Sequence, residues 1–95
     1  MIVSFKDRHS RSVFEGRFVK TLPPDIQPRA RRKLLAIDAA IGLDVLRSLP
    51  GNHLEALAGD RAGRYSIRVN DQWRICFRWQ DGDAAEVEIV DYHRG

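Results

Sequence analysis

RYSIRVNDQWRICFRW, Arg64 to Trp79, is the stretch that decides the fold. Tyr65, Ile67 and Val69 alternate with Ser66, Arg68 and Asn70. After a polar break, Trp73, Ile75, Phe77 and Trp79 alternate with Arg74, Cys76 and Arg78. A period of two places successive side chains on opposite faces, so both runs read as strands with one apolar and one polar face. Val69 and Trp73 share the apolar face only if the connection has an odd length. Asn70-Asp71-Gln72 is therefore expected as a three-residue hairpin loop. Gln80-Asp81-Gly82 reads as the same device, leading to a third strand from about Ala85 to Tyr92.

Upstream the period changes. TLPPDIQP (21–28) breaks regular pairing, and Asp25 offers an N-cap with Pro28 in the turn that follows. Ile26, Ala30, Leu34, Ile37 and Ile41 then recur at helical spacing, Arg29, Arg32 and Lys33 fall off that stripe, and Gly42 supplies a stop. Leu43 to Leu49 adds a further turn or two before Pro50-Gly51. At the start, Ile2 to Phe5 reads as a short strand, followed by a brief helix with Val13, Phe14 and Phe18 on one face. The expected architecture is α+β: an N-terminal short strand and helices packed on one face of a C-terminal antiparallel β-sheet.

A chain of 95 residues closes one core, so residues 1–95 are read as a single domain. With 43% hydrophobic and 31% charged residues the composition is that of a folded globular protein. No apolar run approaches the roughly 20 residues of a membrane span, and MIVSFKDRHS lacks the apolar stretch of a secretory signal, so no membrane role and a cytoplasmic location are expected. Cys76 stands alone, which excludes an internal disulfide. With no Cys or His cluster at ligand spacing, no metal site and no cofactor are expected.

Of the 16 basic residues 13 are Arg, whose planar fork of donors matches phosphate and carboxylate. On the polar face of the central hairpin, Arg68, Arg74 and Arg78 are expected to converge and hold successive phosphates of one nucleic-acid strand. Glu86 and Glu88, on the neighbouring strand, are the available competitors for these side chains. The chain then ends Asp91-Tyr92-His93-Arg94-Gly95. Attack by a ribose 2'-hydroxyl on the adjacent phosphate needs a base for that hydroxyl, an acid for the departing oxygen and a cation for the charged phosphorane. Asp91, Tyr92 and His93 can supply the first two, and Arg74 the third. His53 and Glu55 lie two apart just before the GDRAG turn at 59–63, in a stretch otherwise read as loop.

LEALAGDRAGRYSIRVNDQWRICF (54–77) followed by VEIVDYH (87–93), with the MIVSF start and the KLLAIDAA helix (33–40), resembles the HigB, or plasmid-maintenance killer, branch of the RelE/ParE toxin superfamily. The resemblance implies a compact RelE-like ribonuclease fold without a metal and a metal-independent endoribonuclease, the toxin of a type II toxin-antitoxin system. Such a toxin enters the ribosomal A site and cleaves messenger RNA there. It also implies a HigA-like helix-turn-helix antitoxin that neutralises the toxin and through which alone the complex meets operator DNA. The family's C-terminal Asp-Tyr-His falls on Asp91, Tyr92 and His93, and its WRI arginine on Arg74.

Two departures from the family pattern stand out. Where members carry a His two residues before the Leu57 position, this chain has Glu55, with His53 the nearest imidazole. Either Glu55 takes a proton-transfer or orienting role, or His53 reaches in toward the RNA, or the enzyme is weaker. The chain also continues past His93, where Arg94 offers a further phosphate contact. The expected RNA-binding set is thus Arg68, Arg78, His53 and Arg94. Two other readings are a ParE-like toxin that inhibits DNA gyrase without cutting RNA, and an interaction protein that has lost activity.

Overall fold

In the computed structural model, residues 1–61 and 63–92 are described. Three helices precede a four-stranded sheet: α1 (Arg8–Phe14), α2 (Gln27–Ala39), α3 (Leu43–Ser48), then β1 (Glu55–Ala56), β2 (Arg64–Arg68), β3 (Trp73–Gln80) and β4 (Asp83–Asp91). The strands form an antiparallel meander in sequence order. Their apolar face supplies Ile67, Val69, Ile75, Phe77, Ala84 and Val87 to the core, and the helices close it with Val13, Ala30, Leu34, Ile37 and Leu46. The α+β architecture expected from the two periodicities is the one observed.

The hairpin register follows from the loop that the alternation demanded. Arg68 pairs with Arg74 and Ile67 with Ile75, while Val69 N–H donates to the Trp73 carbonyl at 2.9 Å. Asn70 shapes the connection, its Oδ1 accepting from the backbone N–H of Gln72 and of Trp73, each at 2.8 Å. Such side-chain mimicry of a turn is why Asn recurs in these positions.

The second connection differs from expectation. Gln80 pairs with Asp83, leaving a two-residue loop, Asp81-Gly82, with φ of 53° and 82°. Positive φ at both positions marks the type I′ turn that Asp-Gly favours, because its twist matches that of the strands it joins. The register is corrected further on by a bulge between the Cys76 and Arg78 rows, where Glu86 has φ 52°. Glu86 thereby joins the outward face and takes both Arg64 and Arg78.

Elsewhere, backbone turns override the apolar pattern. The expected first strand is present only as isolated parallel bridges, Ile2 to Ala84 and Phe5 to Val87, which cover the β4 edge. Phe18 is 67% exposed rather than buried with Val13, because α1 stops at Phe14 and Gly16 turns the chain at φ 83°. Asp25 does not cap α2. It lies in a 3-10 turn, Pro24–Ile26, and the α2 N-cap, Ile26, makes no side-chain cap bond. Ile41 is 89% exposed because Ala40, extended at ψ 132°, has already ended the helix.

Candidate active site around Arg74

The polar face of the sheet carries Glu55, Ser66 and Cys76 in one cross-strand row and Arg68 and Arg74 in the next. Ser66 and Arg74 are diagonal neighbours, within reach of a long side chain. Arg74 is buried, at 8% exposure. A guanidinium removed from water is costly unless its donors find partners, and Nε and Nη2 find them. Nε donates to Ser66 Oγ at 2.8 Å, and Nη2 donates to the His53 carbonyl at 2.5 Å and to the Ser66 carbonyl at 3.2 Å. Glu55 Oε1 adds a carboxylate at 3.7 Å from Nη2.

The acceptor at residue 53 is backbone, and the chain there is unusual. His53 is non-glycine at φ 45°, a left-handed conformation that persists only when its surroundings hold it. The holder is Asn52, 1% exposed. Its Nδ2 donates to the Leu46 carbonyl at 3.0 Å, its Oδ1 accepts from Lys33 Nζ at 2.5 Å, and its carbonyl accepts from Arg68 N–H at 2.6 Å. Asn52→Ala is expected to destabilise the fold by about 1–3 kcal/mol through the buried groups it leaves unpaired, read as a lowered midpoint of denaturant unfolding.

On the other side of Arg74 stands Tyr92, its ring centroid 5.8 Å from the guanidinium carbon and its hydroxyl 3.7 Å from Cys76 Sγ. Asp91 pairs in register with Trp73, one position off the Arg74 row, and its Oδ2 accepts from Gln72 Nε2 at 3.1 Å. Strand alternation thus separates two residues adjacent in sequence. His93 and Arg94 lie outside the described residues.

The expected convergence of Arg68, Arg74 and Arg78 is not what forms. Arg68 is drawn to Asp71 across the hairpin loop, and Arg78 Nη1 to Glu86 at 3.2 Å. Arg78 also sits four residues from Arg74, about 13 Å along the strand. Glu86, held below the usual carboxylate range chiefly by its hydrogen bond from Arg64, is the acid that claims that end of the face, while Glu88 pairs with Lys6 at 3.4 Å. The site therefore joins Arg74, Glu55, Tyr92 and the His53 backbone, with Arg68 beside them, whereas the His53 residue as a whole is exposed.

Ser66 and Asn52 were not singled out from sequence. Ser66 was legible, since the three-residue loop sets the register that places it diagonal to Arg74. Asn52 was not, because its partners come from α2, the end of α3 and β2. A cavity of about 570 Å³ lies between α1 and α2, lined by Val13, Phe18, Pro24, Pro28 and Arg31 among others, and includes none of the Arg74 group. Among the described residues no three His, Cys, Asp or Glu side chains gather as a metal site, and no helix is long and apolar enough to cross a membrane.

Residues 3–93 match the model of the RelE-like toxin of the type II toxin-antitoxin system HigB. The chain belongs to the HigB-like toxin family. Toxin HigB-1 of Vibrio cholerae is 40% identical over 95 residues, covering 99% of each chain. Endoribonuclease HigB of Proteus vulgaris is 37% identical over 93 residues, 98% of this chain and all of that one. A chain from the YoeB-YefM complex of Staphylococcus aureus superposes with a TM-score of 0.57 over 93% of this chain and 95% of that chain, at 16% identity, which shows a shared fold.

Proposed function

We propose that this HigB-like toxin is an endoribonuclease that cuts messenger RNA in the ribosomal A site, with Arg74 facing the scissile phosphate. The observation that carries this reading is the immobilised guanidinium: a cation already oriented by Ser66 and the 53 carbonyl stabilises developing charge without reorganising when the reaction occurs. Tyr92 stands beside it, and the remaining proton-transfer roles are assigned to His93 and to Asp91, which acts from one position off the Arg74 row. Glu55, at the position where the family has His, takes the orienting role, holding the outer side of Arg74. Arg68, Arg78, His53 and Arg94 are the residues assigned to RNA backbone contacts.

The ribosome positions the substrate against this site. Purified toxin is accordingly expected to cleave messenger on translating ribosomes and largely to spare naked RNA. The partner is an antitoxin of the HigA-like helix-turn-helix type, which neutralises the toxin in the cytoplasm and alone carries the pair to operator DNA. HigB-like family membership, with the acid-base residues of the C-terminus, favours this over gyrase inhibition and over an inactive interaction protein.

The test is to map messenger 5' ends after brief induction of the toxin alone, beside an Asp91→Ala, His93→Ala variant. New ends within translated frames that vanish in the variant are expected. Growth arrest without new ends, or full toxicity in the variant, would overturn the assignment.

A further inference from the structure

The β3–β4 ladder stops one residue before Tyr92. Its last row pairs Trp73, the first residue of β3, with Asp91, the last of β4. The parallel bridges from the N-terminal segment, at Ala84 and Val87, cover the other end of that strand. Tyr92, whose ring stands over the Arg74 guanidinium, therefore lies past the paired rows, immediately before His93. Strand ends with few ties open locally at little free-energy cost, and a reacting group displaced by about 1 Å can lose about a hundred-fold in rate. The hairpin loop supplies the ties. The Gln72 carbonyl accepts from the Tyr92 N–H at 2.7 Å, and Gln72 Nε2 donates to Asp91 Oδ2 at 3.1 Å. One residue thus holds the end of β4 twice, once through its backbone and once through a side-chain bond to a carboxylate. Gln72 is itself fixed, since its N–H donates to Asn70 Oδ1, and Gln72, Asp91 and Tyr92 are all half-buried.

We propose that Gln72 is a positioning residue for RNA cleavage, a clasp that fastens the end of β4 to the β2–β3 hairpin and so fixes Tyr92 over Arg74. This rests on the roles given above to Arg74, Asp91 and Tyr92. The register that pairs Trp73 with Asp91 brings Gln72 opposite Tyr92, so the backbone bond continues the ladder by one step into the loop. The side chain does something the ladder does not. It takes hold of Asp91, which alternation puts in the Trp73 row, and leaves Tyr92 to the Arg74 side. The two bonds thus grip consecutive residues of β4 and its continuation, which limits both sliding and rotation of that end of the strand.

The test uses the full chain with Gln72→Met, which keeps the stem and removes the donor, and Gln72→Glu, which keeps the shape and sets a second carboxylate beside Asp91. Single-turnover cleavage of messenger on ribosomes is followed over a range of toxin concentrations, and amide hydrogen exchange is followed in the free protein. The maximal rate is expected to fall about 10 to 100 fold in both variants, with the half-saturating concentration kept within about twofold. In an Asp91→Ala background, Gln72→Met should cost less than about twofold more, because the side-chain grip is already gone. The Tyr92 amide is expected to exchange about ten-fold faster or more, while the Ile75 and Phe77 amides in the middle of β3 keep their wild-type rates. Unchanged Tyr92 exchange overturns the clasp, and so does faster exchange with cleavage at the wild-type rate. A loss confined to half-saturation, or one of equal size in the Asp91→Ala background, also overturns it, because Gln72 would then act on the RNA directly. Exchange needs no substrate, so a wild-type chain that leaves RNA uncut, with the Tyr92 amide released in both variants, would sink the ribonuclease reading and leave the clasp standing.

Discussion

Arg74→Ala is expected to lower the rate of messenger cleavage on ribosomes by about 100 to 1,000 fold, the usual consequence of removing one preorganised donor from a developing anion. The size of the effect follows from how Arg74 is held. Its hydrogen bonds to Ser66 and the 53 carbonyl already orient the fork, so the free protein has met the cost of aligning it. The substitution also leaves a buried hydroxyl and two carbonyls without their donor, which costs about 1–3 kcal/mol of stability. Cleavage and unfolding must therefore be measured on the same preparation. Arg74→Lys separates the contributions, because it keeps the charge and loses the planar fork. A cleavage loss below about threefold in folded Arg74→Ala protein would remove the residue from the mechanism.

Phe77→Ala is expected to destabilise the fold by about 3–5 kcal/mol, the range for deleting a buried aromatic ring. Phe77 is fully buried at the centre of β3, with Tyr65 and Trp79 rings each 6.3 Å away. The surrounding strands are pinned by the hairpin register and the β4 bulge, which limits collapse into the void. Since a domain of this size is stable by about 5–15 kcal/mol, thermal unfolding should fall by tens of degrees, and the variant should be depleted in cells. Unfolding within about 1 kcal/mol of the wild type would mean that the meander does not carry the core.

How much of this was legible depended on how local the deciding interaction is. The hairpin from Arg64 to Trp79 was readable to its register, because alternation and loop parity act between neighbours in sequence. Ile41 and Phe18 were misplaced for a related reason. Their spacing continued an apolar pattern, but the backbone had already turned at Ala40 and at Gly16, and a pattern has no force beyond the element that carries it. The Arg68, Arg74 and Arg78 face was named correctly as a set of positions. Its convergence failed because Asp71 and Glu86 supply nearer carboxylates than any shared ligand would require the arginines to await.

What the sequence by itself determined is the class of fold, the central hairpin, the HigB-like resemblance and the residue types from which a site is built. These follow from periodicity and turn chemistry, which are local, and from motifs, which are linear. Only the tertiary structure decided that Arg74 is buried and aimed and that Glu55 stands at its outer side. It alone joined Lys33 to Asn52, 19 positions apart, and brought Arg29 of α2 to the hairpin. Side-chain electrostatics and burial depend on which distant segments share a space, and that is fixed when the helices close on the sheet.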